Sequence, residues 1–236
     1  MFPWISWSAD PMAFLSEHHR SESGLGQPNR DAADIYLRLQ SRPSNFGRDD
    51  PFVAHVFCCV LALGLSEAGY RSGTLGQVLA LTRAELAQLI ERWAPQALEL
   101  VDLEHETETI ALDDEEDQIR QLLERFRGDA SEETGWLASI LTKRSMQPRH
   151  LWQDLGLATR DELGRLMNER FPKLAERNVD HMKWKKFFYR SLCEMEGFVL
   201  CAAPSCRECG DFHDCFGDES GESALARLSH GKPSDS

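Results

Sequence analysis

The sequence has no recognisable catalytic signature and little positive charge. It contains no His-Glu-x-x-His pattern, no glycine-rich phosphate loop and no nucleophile–base signature, so it offers no enzyme class. Its 26 Lys and Arg stand against 39 Asp and Glu, and the net charge is −13. This balance argues against broad binding to nucleic acids or acidic membranes. We therefore expect a protein that is not an enzyme and that binds neither of these partners.

Long apolar runs are also scarce. The longest, Phe52 to Leu65, includes His55 and is shorter than the roughly 20 residues that a membrane-spanning helix needs. The opening stretch, "MFPWISWSADPMAF", has neither the basic segment nor the small-residue cleavage site of an export signal. These features predict a cytoplasmic protein in which the apolar run is a buried helix.

Strand patterns are few, the best being the short "FVLC" at 198–201, whereas helical patterns recur along the chain. Capping residues and helix breakers predict six or seven helices. One helix is predicted at 30–41 and another at about 180–196. Of the others, four are predicted to begin at Pro51, Thr82, Ser131 and Thr159, and one is predicted to end at Gly128. The sequence therefore predicts an all-α fold, a compact multi-helix domain with a C-terminal cysteine-rich metal-binding loop.

Composition divides the chain into three parts. Residues 1–48 mix Trp, Pro, Ser and Gly without a clear period beyond one short helical pattern, and we expect a variable, partly disordered segment there. Residues 49–217 form the predicted helical domain. Residues 218–236 have the composition of a disordered tail.

Charge is spread unevenly. Ten acidic residues and no Lys or Arg lie between Glu99 and Asp117, and we expect a solvated face or loop there. The stretch "KWKKFFYR" at 183–190 has four basic residues and no acid. One interpretation is an amphipathic helix whose aromatic residues, Trp184, Phe187 and Phe188, pack inward. The other is a surface that offsets the charge of a bound cluster or docks an acidic partner through Lys183, Lys185, Lys186 and Arg190.

Four of the seven cysteines lie close together, in the pattern Cys201-x4-Cys206-x2-Cys209-x5-Cys215. The odd total and the absence of export features argue against a disulfide framework and favour metal or redox chemistry. Short, unequal gaps suit a loop that wraps around an iron–sulfur cluster. A structural zinc ion, which usually takes two separated cysteine pairs, and a set of reduced thiols both stay open.

Other thiols and one imidazole fall near this pattern. Cys193 and His213 are candidate additional ligands, although Cys193 also suits the core and His213 also suits a solvent-facing position. Cys58 and Cys59 lie in the apolar run and are predicted to be core residues.

The stretch "HMKWKKFFYRSLCEMEGFVLCAAPSCRECGDFHDCFG" at 181–217 closely resembles the C-terminal signature of the NifQ family. All four loop cysteines are present at the family spacing, and "HLWQDLGL" with the helix after it, 150–178, is also similar. The resemblance is strongest from 134 to 217.

The resemblance implies a role in supplying molybdenum for nitrogen fixation. Family members are expected to hold an iron–sulfur cluster that incorporates molybdenum, a Mo-Fe-S cluster on the four cysteines. They are expected to donate the metal to synthesis of the nitrogenase iron–molybdenum cofactor, with the NifEN scaffold and the NifH reductase as partners. The alternatives are a zinc-stabilised helical adaptor and a ferredoxin-like electron carrier.

Overall fold

The computed structural model describes residues 31–40, 50–70, 73–195 and 219. The described chain contains ten α-helices, two 3₁₀ helices and no strand residue. The α-helices are α1 Ala32–Gln40, α2 Pro51–Tyr70, α3 Leu75–Leu79, α4 Arg83–Trp93, α5 Asp114–Arg125, α6 Glu132–Ser145, α7 Leu151–Asp154, α8 Arg160–Arg170, α9 Pro172–Ala175 and α10 Trp184–Met195; the 3₁₀ helices are Pro95–Glu99 and Leu103–His105.

The all-α prediction is confirmed for these residues, and all seven predicted helices are present. Three helices that the sequence did not predict, α3, α7 and α9, have only four or five residues each. Such short segments hold too few apolar positions to show a helical period. The predicted cysteine loop and the "FVLC" segment lie outside the described residues.

Helix starts follow local side-chain chemistry. At α4 the predicted capping box is confirmed, because the Thr82 hydroxyl accepts from the amide of Glu85 and the Glu85 carboxylate accepts from the amide of Thr82. At α8 only half of the predicted box forms. Thr159 caps the amide of Glu162, but the Glu162 carboxylate accepts from the amide of Ala158, 2.7 Å away.

Helix α2 is the centre of the core. It has 20 residues and is long and apolar enough to cross a membrane by length and composition, but 72% of that stretch is buried within the protein. The prediction of a buried helix is therefore confirmed by packing, whereas the argument from the length of the run was wrong. Cys58 and Cys59 are buried here, as predicted.

The other helices surround this centre. Helices α1, α3 and α4 pack against α2, and α6 contacts α3, α4, α5 and α7. Helix α10 packs against α5 at the edge of the bundle. The arrangement leaves one side of α10 facing solvent.

The acidic run forms the loop between α4 and α5 and the first turns of α5, as predicted, but several of its carboxylates bind within the protein, among them Glu106 and Glu116. Glu106 accepts from the amides of Leu75 and Gly76 at 3.0 and 2.7 Å and so satisfies the start of α3. Glu116 is buried, and Lys143 donates to it at 2.5 Å.

A compact turn sets the position of α10. The side chain of Asn178 accepts from the amide of Met182 and donates to its carbonyl, at 2.8 and 2.9 Å. His181 has a φ of 54°, and its carbonyl accepts from Arg160 at 2.6 Å. These contacts attach the residues before α10 to α8, and they fix where the basic first turn of α10 lies.

Candidate functional site

The four predicted cluster ligands, Cys201, Cys206, Cys209 and Cys215, lie outside the described residues, as does His213. The structure does describe the residues on both sides of them. Helix α10 ends at Met195, and Glu219 lies beside the first turn of α10. Residues 196–218, which carry all four loop cysteines, therefore connect one end of α10 to the other, about 18 Å away for twelve helical residues.

Chain length limits how far the cysteines can lie from these two ends. Consecutive Cα atoms are 3.8 Å apart. Cys215 is four residues before Glu219, so its Cα lies at most about 15 Å from the Cα of Glu219. Cys201 is six residues after Met195, which sets a limit of about 23 Å there. Chain length thus ties Cys201 and Cys215, the first and last of the four, to the two ends of α10 within these limits.

The aromatic residues of α10 pack inward. Trp184, Phe187 and Phe188 are all buried, and the Trp184 and Phe187 rings meet edge to face with centroids 5.8 Å apart. The prediction that these three rings belong to the core is confirmed. Cys193, the candidate additional ligand, is half-buried in the last turns of the same helix.

The basic residues of α10 differ in their surroundings. The ammonium of Lys185 donates to Asp154 Oδ2 at 2.6 Å and to the carbonyls of Gln147 and Arg149 at 2.5 and 2.6 Å. Arg190 Nε donates to Glu194 at 2.8 Å, one turn further along. Lys186 is exposed. Of the four predicted docking residues, Lys185 and Arg190 are thus bound within the chain, and partner docking by this surface stays a prediction.

A cleft of about 270 Å³ opens where α10 and α7 begin, and we call it the basic cleft. It is lined by four cationic side chains, one imidazole, one carboxylate and one leucine: Arg149, Lys183, Lys185, Lys186, His150, Glu219 and Leu151. In a protein with a net charge of −13, this is a local excess of positive charge. The pKa of His150 lies below its usual value, mainly because of burial, with the nearby charges of Lys183 and Lys185 adding to the effect.

Glu219 is the one acidic side chain among the described residues of the cleft lining. One carboxylate oxygen lies 3.5 Å from Nδ1 of His150, and the other lies 3.4 Å from Nε of Arg160. Its side chain is only 6% exposed. The cleft therefore already surrounds a negatively charged oxygen group supplied by the chain itself.

Comparison with known proteins identifies the relatives of this chain. The family model named NifQ matches residues 56–217. The chain belongs to the NifQ family. The matched range ends two residues after Cys215, so it contains all four cysteines of the predicted site.

Individual NifQ proteins are similar over most of the chain. The chain is 38% identical to the Protein NifQ homolog of Sinorhizobium fredii (strain NBRC 101917 / NGR234) over 173 residues, 73% of this chain and 75% of the relative. It is 43% identical to Protein NifQ of Rhodobacter capsulatus over 157 residues, 66% and 86% of the two chains. It is 42% identical to Protein NifQ of Azotobacter vinelandii over 166 residues, 69% and 80%. No solved structure matches the chain.

Outside the matched cysteine segment, this NifQ-family chain shows no competing metal site in the part that the structure describes. No group of three or more His, Cys, Asp and Glu side chains there is arranged to hold a metal ion. A cluster on α1, α2 and α8 contains some residue types that can bind metals. Nδ1 of His55 lies 2.8 Å from the Tyr36 hydroxyl, and its Nε2 lies 3.4 Å from Glu162. The Cys59 sulfur lies 3.7 Å from the same ring.

This cluster is structural. Burial raises the pKa of the Cys59 thiol well above its usual value, and the nearby Glu162 raises it further. A thiol in this state is a poor nucleophile and a poor metal ligand, because the thiolate is the reactive form. The cluster therefore gives no support to a second catalytic or metal centre.

The sequence did not predict the basic cleft. Lys183, Lys185 and Lys186 were singled out as one basic run, but Arg149, His150 and Glu219 were not. The pair Arg149-His150 directly before a helix start was the available local signal. No local signal pointed to Glu219. It contacts His150, which lies about 70 residues earlier in the sequence, and periodicity does not reveal contacts at such a separation.

Proposed function

We propose that this protein carries molybdenum in a Mo-Fe-S cluster and donates it to synthesis of the nitrogenase iron–molybdenum cofactor. The observation that carries the proposal is that the NifQ family match extends through residue 217 and so includes Cys201, Cys206, Cys209 and Cys215. Membership of this family implies a role in nitrogen fixation. The protein acts in the cytoplasm as a carrier, not as an enzyme.

The cysteines supply the right ligand chemistry. Thiolates are soft ligands that favour iron–sulfur units over hard cations. Three of the four cysteines would hold iron, and the fourth, or Cys193 or His213 in its place, would hold molybdenum. Because a carrier must also release its cargo, the molybdenum corner of the cluster is the one that exchanges.

Molybdenum enters such a cluster only after a change of ligands. It reaches cells as molybdate, a hard oxyanion that suits oxygen and nitrogen donors better than sulfur. An external electron donor would reduce the metal, each departing oxo group would take up two protons and leave as water, and the iron–sulfur unit would supply sulfide ligands in their place. A cluster carrier therefore needs both thiolates for the product and a way to receive the anion.

The receiving partners in this proposal are the NifEN scaffold and the NifH reductase. The surface that meets them is formed by the exposed basic residues of α10, chiefly Lys186, because Lys185 is bound to Asp154 and to two carbonyls. Such a patch on an acidic protein attracts an acidic partner by long-range electrostatics.

A transfer assay tests the function. Protein loaded with molybdenum without air would be the sole molybdenum source in a cofactor synthesis reaction that contains NifEN and NifH. We expect active cofactor to form in proportion to the molybdenum added. The proposal fails if the protein carries zinc alone, as an adaptor would, or carries iron but no molybdenum, as an electron carrier would.

A further inference from the structure

The basic cleft has the features of an anion site. Its lining brings four cationic side chains around a space of about 270 Å³, well above the roughly 15 Å³ that a single water needs. Among the residues that the structure describes, only one carboxylate, that of Glu219, belongs to the lining. Charges of one sign gathered at a concave surface raise the local concentration of an ion of opposite sign.

The carboxylate of Glu219 shows what the cleft accommodates. One of its oxygens lies 3.5 Å from Nδ1 of His150 and the other lies 3.4 Å from Nε of the Arg160 guanidinium, with the side chain almost fully enclosed. The cleft thus holds an anionic oxygen group in the absence of any ligand. The amides at the start of α10 add positive potential at the same place, and no acidic residue lies in the first turn of that helix to offset it.

The lining divides into fixed and adaptable parts. Lys185 is held by Asp154 and two carbonyls, so its charge is fixed at the back of the cleft. Arg149 and Lys186 are exposed at the rim. Long basic side chains at a rim can close on an anion without rearrangement of the helices, because they lose only rotamer freedom.

From these observations we propose that the basic cleft binds a tetrahedral oxyanion, and that molybdate is the anion it takes. The inference rests on the proposed function, to which it adds the place where the cargo first binds. Because Cys215 is four residues before Glu219, its Cα lies within about 15 Å of the Cα of Glu219, so the chain itself limits the distance between this entry site and one proposed cluster ligand. The anion binds here unreduced, through charge and hydrogen bonds alone.

Glu219 competes with the anion. Its negative charge offsets part of the positive potential in the cleft. An entering dianion must therefore displace the carboxylate or share its partners. Glu219→Gln removes that charge and keeps the shape of the side chain, so it should tighten binding. This outcome separates an anion site from a cleft whose basic residues serve only to anchor Glu219.

Equilibrium dialysis of sodium molybdate against the full chain, stripped of metal and kept reduced, tests the inference. We expect Lys186→Gln to weaken binding about tenfold at low salt, the loss expected for one charge-assisted hydrogen bond. Lys173→Gln, which removes an exposed lysine of α9 outside the cleft, should change it by less than about twofold. Far-ultraviolet circular dichroism confirms that each variant is folded.

Parallel dialysis with tungstate, sulfate and phosphate separates the possible anions. Tungstate should bind about as well as molybdate because it has the same charge and shape. Tighter binding of sulfate or phosphate would overturn the assignment to molybdate. Equal binding by wild type, Lys186→Gln and Glu219→Gln would overturn the cleft itself.

A variant with all four loop cysteines replaced by serine separates this inference from the proposed function. It should still bind molybdate, since none of the described residues that line the cleft is a cysteine. If it loses molybdate binding while Lys186→Gln keeps it, the anion binds the cysteines directly, and the inference is wrong although the carrier function stands. If wild type acquires molybdenum neither as the anion nor in a cluster, the carrier function itself is wrong.

Discussion

Lys185 and Asp154 form a buried ion pair that joins α10 to α7, with Nζ 2.6 Å from Oδ2. Burial lowers the pKa of Lys185 and raises that of Asp154, although each charge favours the ionised form of the other. Desolvation of the two charges thus outweighs their attraction. The pair fixes the position of the basic turn of α10 at a cost in solvation, a pattern known for ion pairs in protein interiors.

The first prediction concerns the stability of this pair. Asp154→Leu or Lys185→Met alone should lower the free energy of unfolding by about 3 to 5 kcal/mol, since each leaves an unpaired buried charge. The double variant Asp154→Leu/Lys185→Met should lose much less than the sum. Urea unfolding measures all three. Glu169→Gln, which breaks the exposed pair with Arg165, is the control and should cost less than about 1 kcal/mol. Additive losses in the double variant would contradict the interpretation.

The second prediction concerns pH. Because the pKa of Asp154 is raised in the folded protein, its contribution to stability is fully present below the unfolded value of 3.8 and is lost as pH rises through the folded value. Wild type should therefore gain stability relative to Asp154→Asn as pH falls from 7 toward 4. Unfolding titrations of both proteins at several pH values measure the difference. A difference that shrinks as pH falls would show that the pKa of Asp154 is lowered instead.

The third prediction concerns thiol reactivity. Cys58 and Cys59 are buried, and burial raises the pKa of Cys59, so neither should react with iodoacetamide in the native, metal-free protein. Peptide mass spectrometry after a timed exposure measures the labelling. The same protein unfolded in guanidinium is the control and should be labelled at both positions. Rapid native labelling at Cys59 would mean that the thiol has a function which its burial argues against.

The sequence predicts more of the fold than of the candidate site. Long helices with capping residues, such as α4 after Thr82, follow from local chemistry and were predicted. The short helix α3 has a local capping box between Thr74 and Gln77, and it also depends on a distant segment, because Glu106 binds its start. No period in the sequence reports such contacts.

The basic run of α10 shows the same division. Its aromatic positions were predicted correctly because the burial of one helix face follows from spacing. The separate role of Lys185 could not be predicted, since Asp154 and the carbonyls of Gln147 and Arg149 lie about 30 to 40 residues away in sequence. The four cysteines were recognised from spacing and family resemblance, and their ligand role stays a prediction.

The fourth prediction concerns partner docking. Lys186→Glu should slow molybdenum transfer from preloaded protein to the assembly partners by about tenfold at low salt, and added salt should reduce the difference. Preloading removes any need for the basic cleft, so the rate reports docking rather than uptake. Lys173→Glu makes the same change of charge on α9 and should transfer at nearly the wild-type rate. Equal rates for Lys186→Glu and wild type at low salt would exclude a docking role for Lys186.

The central claim is that Cys201, Cys206, Cys209 and Cys215 hold a cluster of iron, sulfide and molybdenum. Elemental analysis for Mo, Fe and Zn, on wild type and on the four-serine variant after the same reconstitution without air, tests it most directly. We predict brown wild-type protein that contains iron and molybdenum, and a colourless variant that retains neither metal in a cluster. Colourless wild-type protein with one zinc ion per chain, or a variant that takes up iron and molybdenum as wild type does, would contradict it.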